Sequence, residues 1–262
     1  MFWAVVTTVI TTALFAKNRK SGAPAPSGPP ALSPGAPAGQ ELQQLALHQA
    51  LVGRLDGATY TPGPGAELLP MVVLLHGEGD DPAALRSVLP PSRPLRVVTL
   101  LGRLDDGNGR RRYLDPLLQG TALRTAQLRE TDDIGLAVIA ATQRFPVDGA
   151  LVIVGVGGAG AMALAEAMRG PAWFRAAFGA GGVLTADWVP DGKAPASPPR
   201  LFKLSYGDAV GFDQLAAQKA AGLGWPLVVD QGDVDVIGAS PDAATVRAWL
   251  ATRWSEEGLG AG

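Results

Sequence analysis

The sequence predicts an α/β protein with a mostly parallel sheet and helices on both of its faces. Six short apolar runs rich in β-branched residues are nearly continuous, as in strands that are buried on both sides. Helical patterns separate these runs, and strands that alternate with helices are typical of a parallel sheet. The predicted strands are MVVLLH (71–76), LRVVTLL (95–101), ALVIVG (150–155), AAFGAGG (176–182), RLFKLSYG (200–207) and PLVVDQG (226–232).

The spacing of apolar residues predicts six helices around these strands. Leucines in ELQQLALHQALVGRL predict the first helix. Thr131 followed by Asp132–Asp133, and the segment Ser240-Pro241-Asp242, favour the starts of two others. Together the elements predict one domain over residues 41–256, followed by a disordered tail over 257–262. The predicted helices cover residues 41–55, 82–89, 131–145, 159–168, 212–222 and 241–254.

The composition fits one globular domain and excludes several kinds of site. The 262 residues are 47% apolar and 18% charged, and the net charge of −2 gives no reason to expect nucleic-acid binding. The chain has no cysteine, which excludes disulfides, zinc–thiolate sites and a cysteine nucleophile. His48 and His76 are its only histidines. We expect no metal ion and no cofactor.

The N-terminal residues predict a membrane anchor and a tether. The apolar run Phe2–Ala16 is followed by the basic segment KNRK (17–20). A cleaved signal peptide, the alternative, carries its positive charge before the apolar run. We therefore expect a single-pass anchor over residues 1–20, with the domain in the cytoplasm because the basic flank stays on that side. Residues 21–40 are rich in proline, glycine and alanine and are expected to form a linker.

A glycine-rich turn lies between the third predicted strand and the helix after it. Gly155-Val156-Gly157-Gly158-Ala159-Gly160 matches the G-x-G-x-x-G pattern of dinucleotide-binding proteins. The acidic residue that this pattern requires at the end of the next strand is missing, because that strand reads AAFGAGG. A dinucleotide site therefore remains only an alternative interpretation of this turn.

Five segments in order resemble the α/β-hydrolase fold, and within it the carboxylesterase/phospholipase group that includes acyl-protein thioesterases. The resemblance covers roughly residues 45–254 and implies an α/β-hydrolase sheet with an oxyanion loop, a nucleophile elbow and acid and histidine loops. The segments are LPMVVLLHGEGDDPAAL (69–85), FPVDGALVIVGVGGAGAMALA (145–165), FRAAFGAGGVL (174–184), RLFKLSYGDAVGFDQLAAQKAAGL (200–223) and PLVVDQGDVDVIGASPDAATVRAWL (226–250).

The resemblance implies a catalytic triad that this chain does not carry. The serine of the G-x-S-x-G elbow falls on Gly157, which has no nucleophile to offer. The acid falls on Val210, with Asp208 two residues earlier as a substitute, and the histidine falls near Asp235. No histidine follows His76, which belongs to the oxyanion loop and is not the base in this group.

These positions predict a binding site without hydrolytic function. We expect a scaffold, receptor or regulatory subunit that binds a protein partner or a small anionic or acyl ligand. Free N–H groups at the helix that starts near Gly158 suit an anion, and the backbone of Gly77–Gly79 would add donors. An active carboxylesterase or thioesterase with atypical residues is the alternative. The predicted ligand-binding residues are His76, Gly77, Gly79, Gly157, Gly158, Asp208 and Asp235.

Aspartates also follow the ends of the last two predicted strands, where α/β sheets bind ligands. They are interpreted as solvated loop acids, with a Mg²⁺ or Ca²⁺ site as the alternative. These residues are Asp208, Asp213, Asp230, Asp233 and Asp235.

Overall fold

Eight strands form one sheet in the computed structural model, which describes residues 49–107, 110–232 and 241–260. The strand order is β10-β9-β8-β7-β3-β4-β1-β2, and β5 and β6 form a separate antiparallel ribbon. The strands are β1 Ala50–Gly57, β2 Thr59–Pro62, β3 Met71–Leu75, β4 Ser92–Leu100, β5 Leu104–Gly107, β6 Arg110–Arg112, β7 Leu151–Val156, β8 Phe174–Ala180, β9 Arg200–Ser205 and β10 Leu227–Gln231.

The six strands predicted from the sequence form the parallel part of this sheet. Neighbours from β10 to β4 all pair in parallel, whereas β1 pairs antiparallel with both β4 and β2. Every residue of β3 and β7 is buried, as continuous apolar runs require at the centre of a parallel sheet. The predicted mostly parallel sheet is therefore confirmed.

Helices cover both faces of the sheet, as predicted. Three of them contribute residues such as Ile134, Met162 and Ala216 to one apolar core. The last helix and a short 3₁₀ helix, Ala84–Val88, contribute Leu250 and Val88 to the core on the other face. The α-helices are α1 Gly120–Arg144, α2 Ala159–Arg169, α3 Ala209–Gly222 and α4 Ala243–Glu256.

The helix predicted over residues 41–55 is wrong for the residues that the structure describes. Ala50–Gly57 forms β1, which is paired along its length with β4. Gly53 allows β2 to pair on the other side of β1, because a Cβ on Gly53 would lie 2.2 Å from the ring of Tyr60 on β2. Two strand partners outweigh the weak helical periodicity of the leucines. His48 lies outside the described residues.

The start of helix α1 and the C-terminal tail also differ from prediction. Helix α1 begins at Gly120 rather than Thr131, because the residues TALRTAQLRE between them are strong helix formers. Thr131 lies inside the helix, where its hydroxyl donates to the Gln127 carbonyl. The tail predicted as disordered from residue 257 packs on the domain, since Leu259 is buried and Gly260 bridges to Ser92.

The start of the last helix follows the predicted signal. Asp242 is the N-cap of α4, and its carboxylate accepts a hydrogen bond of 2.9 Å from the Thr245 amide. Across residues 49–107, 110–232 and 241–260, no helix is both long and apolar enough to cross a membrane. The predicted anchor (1–20) and linker (21–40) lie outside these residues and stay predictions.

Candidate functional site

The candidate site lies at the edge of the sheet where the parallel strands end. Open α/β sheets bind ligands in the crevice outside the carboxyl ends of their strands. Two connections at the centre of the sheet meet there. One is the loop His76–Gly79 after β3, and the other is the turn Gly157–Gly158 between β7 and α2.

Gly157 forms a tight turn with the geometry of a nucleophile elbow. Its φ of +58° lies in the left-handed region, which L side chains enter only under strain. The Gly157 amide donates to the Ala180 carbonyl at 2.8 Å, and its own carbonyl accepts from the Gly160 amide at 2.9 Å. The turn is therefore pinned to β8 on one side and to the first turn of α2 on the other.

The other glycines of the turn allow α2 to pack closely on the sheet. A Cβ at Gly155 would lie 2.2 Å from the Ala159 carbonyl oxygen, and one at Gly160 would lie 2.6 Å from the Gly181 carbonyl oxygen. Backbone atoms cannot move away as flexible side chains can, so both positions require glycine. The G-x-G-x-x-G pattern is thus explained by packing within the fold.

A second glycine turn covers the elbow from the side of β8. Gly181 and Gly182 both have positive φ, at +79° and +67°. A Cβ on Gly182 would lie 2.7 Å from the Gly157 carbonyl oxygen, and one on Gly181 would lie 3.3 Å from the Gly157 Cα. The backbone of this turn is therefore in direct contact with the elbow.

His76 holds the oxyanion loop in place. The side chain is fully buried, and its ring stacks on Tyr113 with the centroids 4.6 Å apart. Its Nε2 accepts a hydrogen bond from the Gly102 amide at 2.9 Å, so the proton is on Nδ1, which donates to the Gly77 carbonyl at 2.8 Å. With both ring nitrogens engaged, His76 has a structural role and no free nitrogen to act as a base.

The β5–β6 ribbon is clamped onto the same loop. The Gly79 amide donates to the Arg111 carbonyl at 3.0 Å. Gly102, at the base of the ribbon, touches it so closely that a Cβ would lie 2.3 Å from the Arg112 carbonyl carbon. The expectation that the Gly79 N–H is available to a ligand is therefore wrong, because that donor is used to hold the ribbon.

Glu78 brings a carboxyl group to the elbow. A Cβ at Gly158 would lie 3.6 Å from the Glu78 Cγ, so the two loops meet through this side chain. Its Oε2 accepts a hydrogen bond of 3.2 Å from the Tyr113 amide, and its Oε1 is buried without a hydrogen-bond partner in the described part of the chain. Burial raises the pKa of Glu78, an effect opposed by the Leu114 and Tyr113 amides. Glu78 was not among the predicted site residues, although an acidic residue inside a His-Gly-x-Gly loop indicates a carboxyl group at the site.

A second buried acid lies behind the oxyanion loop. Glu130, on α1, is almost fully buried and forms an ion pair with Arg103, which also pairs with Asp133 at 2.9 Å. Burial raises the pKa of Glu130 to about 7, and the negative charges of Asp133 and Glu78 add to that effect. Burial therefore raises the pKa of two carboxyl groups on the Glu78 side of the site.

Asp208, the predicted substitute for the family acid, lies in solvent. Asp208 is exposed at the start of α3 and makes no side-chain capping hydrogen bond. Val210, where the resemblance places the family acid, lies in the first turn of α3. Asp235 lies outside the described residues. The structure thus brings together the His76–Gly79 loop and the Gly157–Gly158 turn and leaves Asp208 in solvent.

Two of the aspartates interpreted as solvated are held by the fold. Asp213 is fully buried and pairs with Lys203 at 3.0 Å, and it accepts the Leu184 amide at 2.7 Å. Asp230 accepts hydrogen bonds from Trp249 Nε1 at 2.7 Å and from the Arg253 guanidinium. No group of acids and histidines in the described ranges could hold a metal ion.

Known structures share this fold. A carboxylesterase from Bacillus cereus is similar with a TM-score of 0.52 at 12% identity, covering 84% of this chain and all of that one. The protein YahD, solved with malic acid, has a TM-score of 0.52 at 16% identity over 78% of this chain and 98% of its own. A phospholipase/carboxylesterase from Dyadobacter fermentans has a TM-score of 0.51 at 12% identity over 78% and 95%. No family model and no curated protein matches the sequence.

The chain has the α/β-hydrolase fold. The solved structures that it resembles include proteins named as a carboxylesterase and a phospholipase/carboxylesterase. The dinucleotide interpretation is not supported, because β8, the strand after the glycine turn and helix, ends in glycines rather than an acid. Glu78 does approach the turn, but its carboxylate is held by the Tyr113 amide of the ribbon connection.

Proposed function

We propose that this chain is an α/β-hydrolase-fold protein that binds a small anionic or acyl ligand at its elbow and does not hydrolyse it. One observation carries the proposal, namely that the elbow has its strained geometry at Gly157 but no side chain to attack a substrate. Hydrolysis on this fold needs a nucleophile, a base and an orienting acid within hydrogen-bond reach. At this elbow the nucleophile is absent, and the neighbouring His76 is engaged at both nitrogens.

The remaining groups suit recognition of a carbonyl or carboxylate. Gly158 is exposed at the start of α2, where the first N–H groups of a helix have no partners within the helix. Such groups and the helix dipole favour negative charge. The raised pKa of Glu78 lets its protonated form persist to a higher pH than in a solvated glutamate, and that form would donate a hydrogen bond to a ligand oxygen. A ligand that is negatively charged would favour that protonated form further.

An active hydrolase with atypical residues is the second candidate. The solved structures similar to this chain include proteins named as carboxylesterases, so the likeness in fold by itself favours enzyme activity. The observation that supports it here is Glu78, a carboxyl group beside Gly158 with one buried oxygen left unpaired in the described part of the chain. As a carboxylate it would act as a general base on water, with backbone amides of the elbow stabilising the oxyanion.

One set of assays separates these candidates. The full chain, Gly157→Ser and Glu78→Gln are compared in a short-chain ester assay and for labelling by a fluorophosphonate. We expect neither turnover nor labelling by any of the three, because a serine at residue 157 would still lack a base. Turnover by the wild type that is lost in Glu78→Gln, but not in the exposed control Glu256→Gln, would overturn the non-catalytic proposal and establish the second candidate.

The proposal includes attachment to a membrane and a protein partner. The apolar run Phe2–Ala16 and the basic KNRK segment after it support a single-pass anchor with the domain in the cytoplasm. The prediction is that the full chain floats with vesicles in a density gradient and resists extraction by alkaline carbonate. Recovery of the full chain in the soluble fraction, without flotation with vesicles, would refute the anchor. It would not affect the proposal for the ligand site.

A further inference from the structure

The N-terminal segment enters the domain at the same edge of the sheet as the candidate site. Ala50, at the start of β1, is paired with Leu100, the last residue of β4. The Gln49 carbonyl, one residue earlier, accepts a hydrogen bond of 2.8 Å from the Leu101 amide. Because β4 is parallel to β3 and β7, this is the edge where the strands before the oxyanion loop and the elbow also end.

Exposed apolar side chains lie on the connections at this edge. Leu117, just before α1, is 85% exposed, and Phe212, in the first turn of α3, is 53% exposed. Val183, directly after the Gly181–Gly182 turn, is 44% exposed. We call these three residues the apolar rim. Large apolar side chains exposed together at one edge mark an interaction surface.

Contacts link the three connections that carry the rim residues. Arg124, in the first turns of α1, pairs with Asp187 at 2.7 Å and lies over the ring of Trp188, and so joins the Leu117 side of α1 to the connection after β8. Asp213, next to Phe212, accepts the amide of Leu184, next to Val183. The rim residues therefore belong to neighbouring segments that are bonded to one another.

The start of α1, on this side of the rim, is only partly covered by the rest of the domain. Burial in α1 begins at Glu130, so its first ten residues lie outside the core. At 1.5 Å per residue they extend ~15 Å, and Leu117 lies just beyond that end. Leu117 is therefore an exposed apolar side chain next to the partly exposed end of a helix.

We infer that the apolar rim docks on a lipid bilayer, so that the elbow faces the membrane surface. This inference rests on the membrane attachment proposed above. The residues between KNRK (17–20) and Gln49 span at most roughly 100 Å, and the chain enters the domain at Gln49, on the edge that bears the rim. Apolar side chains gain free energy when they enter the boundary between headgroups and acyl chains. In this orientation, the acyl ligand proposed for the elbow reaches it from the bilayer.

The absence of cysteine makes the test direct, because any single introduced cysteine is a unique labelling site. The full chain carrying Leu117→Cys or Phe212→Cys is labelled with a nitrobenzoxadiazole fluorophore and reconstituted into vesicles of phosphatidylcholine and phosphatidylserine in equal amounts. Leu68→Cys is the matched control, since Leu68 is 64% exposed and precedes β3 at the opposite edge. We expect lipids with a doxyl group on the acyl chain to quench the two rim labels at least twofold more than the control label.

A second variant set tests whether the rim side chains cause the docking. A label at Val183→Cys is quenched in the parent chain, and Leu117→Ser with Phe212→Ser lowers that quenching at least twofold, whereas Leu68→Ser leaves it unchanged. Equal quenching at residues 68, 117 and 212 in a chain that floats with vesicles would overturn the docking inference and leave the anchor intact. A full chain that does not float with vesicles would overturn both.

Discussion

The buried ion pair between Lys203 and Asp213 allows a prediction whose size follows from the structure. Lys203 lies on β9 and Asp213 on α3, both side chains are fully buried, and their charged atoms are 3.0 Å apart. Lys203 also donates to the Leu204 carbonyl at 3.0 Å, and Asp213 accepts the Leu184 amide at 2.7 Å. The pair thus joins β9, α3 and the connection that carries Val183 beside the elbow.

Lys203→Met removes the partner of a buried carboxylate and is expected to be severe. Loss of one member of a buried pair costs about 3–5 kcal/mol in the free energy of unfolding, because the other charge stays buried without compensation. Lys203→Met with Asp213→Asn removes both charges, and the asparagine oxygen keeps the bond from the Leu184 amide. The double variant is therefore expected to be less destabilised than the single variant by about 2 kcal/mol or more.

Urea unfolding of the full chain, followed by tryptophan fluorescence, measures both effects. With a denaturant slope near 2–3 kcal/mol per M, the single variant should lower the unfolding midpoint by roughly 1–2 M, and the second substitution should restore part of that shift. A double variant that is as unstable as the single variant, or less stable, would contradict the reasoning. The cost would then come from lost packing of the lysine side chain rather than from an uncompensated charge.

The remaining predictions concern glycine packing, a buried acid and His76. Gly160→Ala places a Cβ 2.6 Å from the Gly181 carbonyl oxygen, so we expect a lower melting temperature, while Gly211→Ala, which meets nothing within 4 Å, should be neutral or slightly stabilising. Burial raises the pKa of Glu166 from 4.5 to about 8, so its contribution to stability is complete below pH 4.5 and is lost as the pH rises toward 8. The urea midpoint of the wild type should fall across that window, at up to ~1.4 kcal/mol per pH unit, and Glu166→Gln should flatten the fall. His76→Phe leaves an amide and a carbonyl unpaired and should cost about 2–4 kcal/mol in urea unfolding; an unchanged midpoint would refute its structural role.

The parallel part of the fold could be predicted because the local sequence of each strand indicates a buried strand. β3 and β7 are apolar at every position, as is typical of strands buried on both faces of a sheet. All six predicted strands occur in the structure. β1 could not be predicted, because its strand character comes from pairing with β4 and β2 rather than from its own sequence. The ribbon β5–β6 is short and polar, and it is held by the oxyanion loop through the Gly79 amide.

The candidate site could be located from the sequence, but its chemistry could not be completed. The glycine turn and the His-Gly-x-Gly loop were placed correctly because each has a required backbone conformation that sequence motifs record. The roles of Glu78, Glu130 and Lys203 depend on burial and on partners distant in the chain, which no local pattern encodes. For the same reason Asp213 and Asp230 were interpreted as solvated loop acids, while the fold holds both in ion pairs.

The contacts around Gly157 argue that a single substitution would not create a hydrolase here. The elbow keeps its left-handed turn and its hydrogen bonds to Ala180 and Gly160, so a serine at residue 157 would start from a suitable backbone position. A serine there would still need a base, and His76 is locked by the Gly102 amide and the Gly77 carbonyl. Burial raises the pKa of Glu78, the carboxyl group beside the elbow, so its protonated form persists to a higher pH than in a solvated glutamate, and that form donates a hydrogen bond rather than accepting a proton. The same arrangement that is poor for hydrolysis is therefore suited to holding the oxygen of a bound carbonyl or carboxylate.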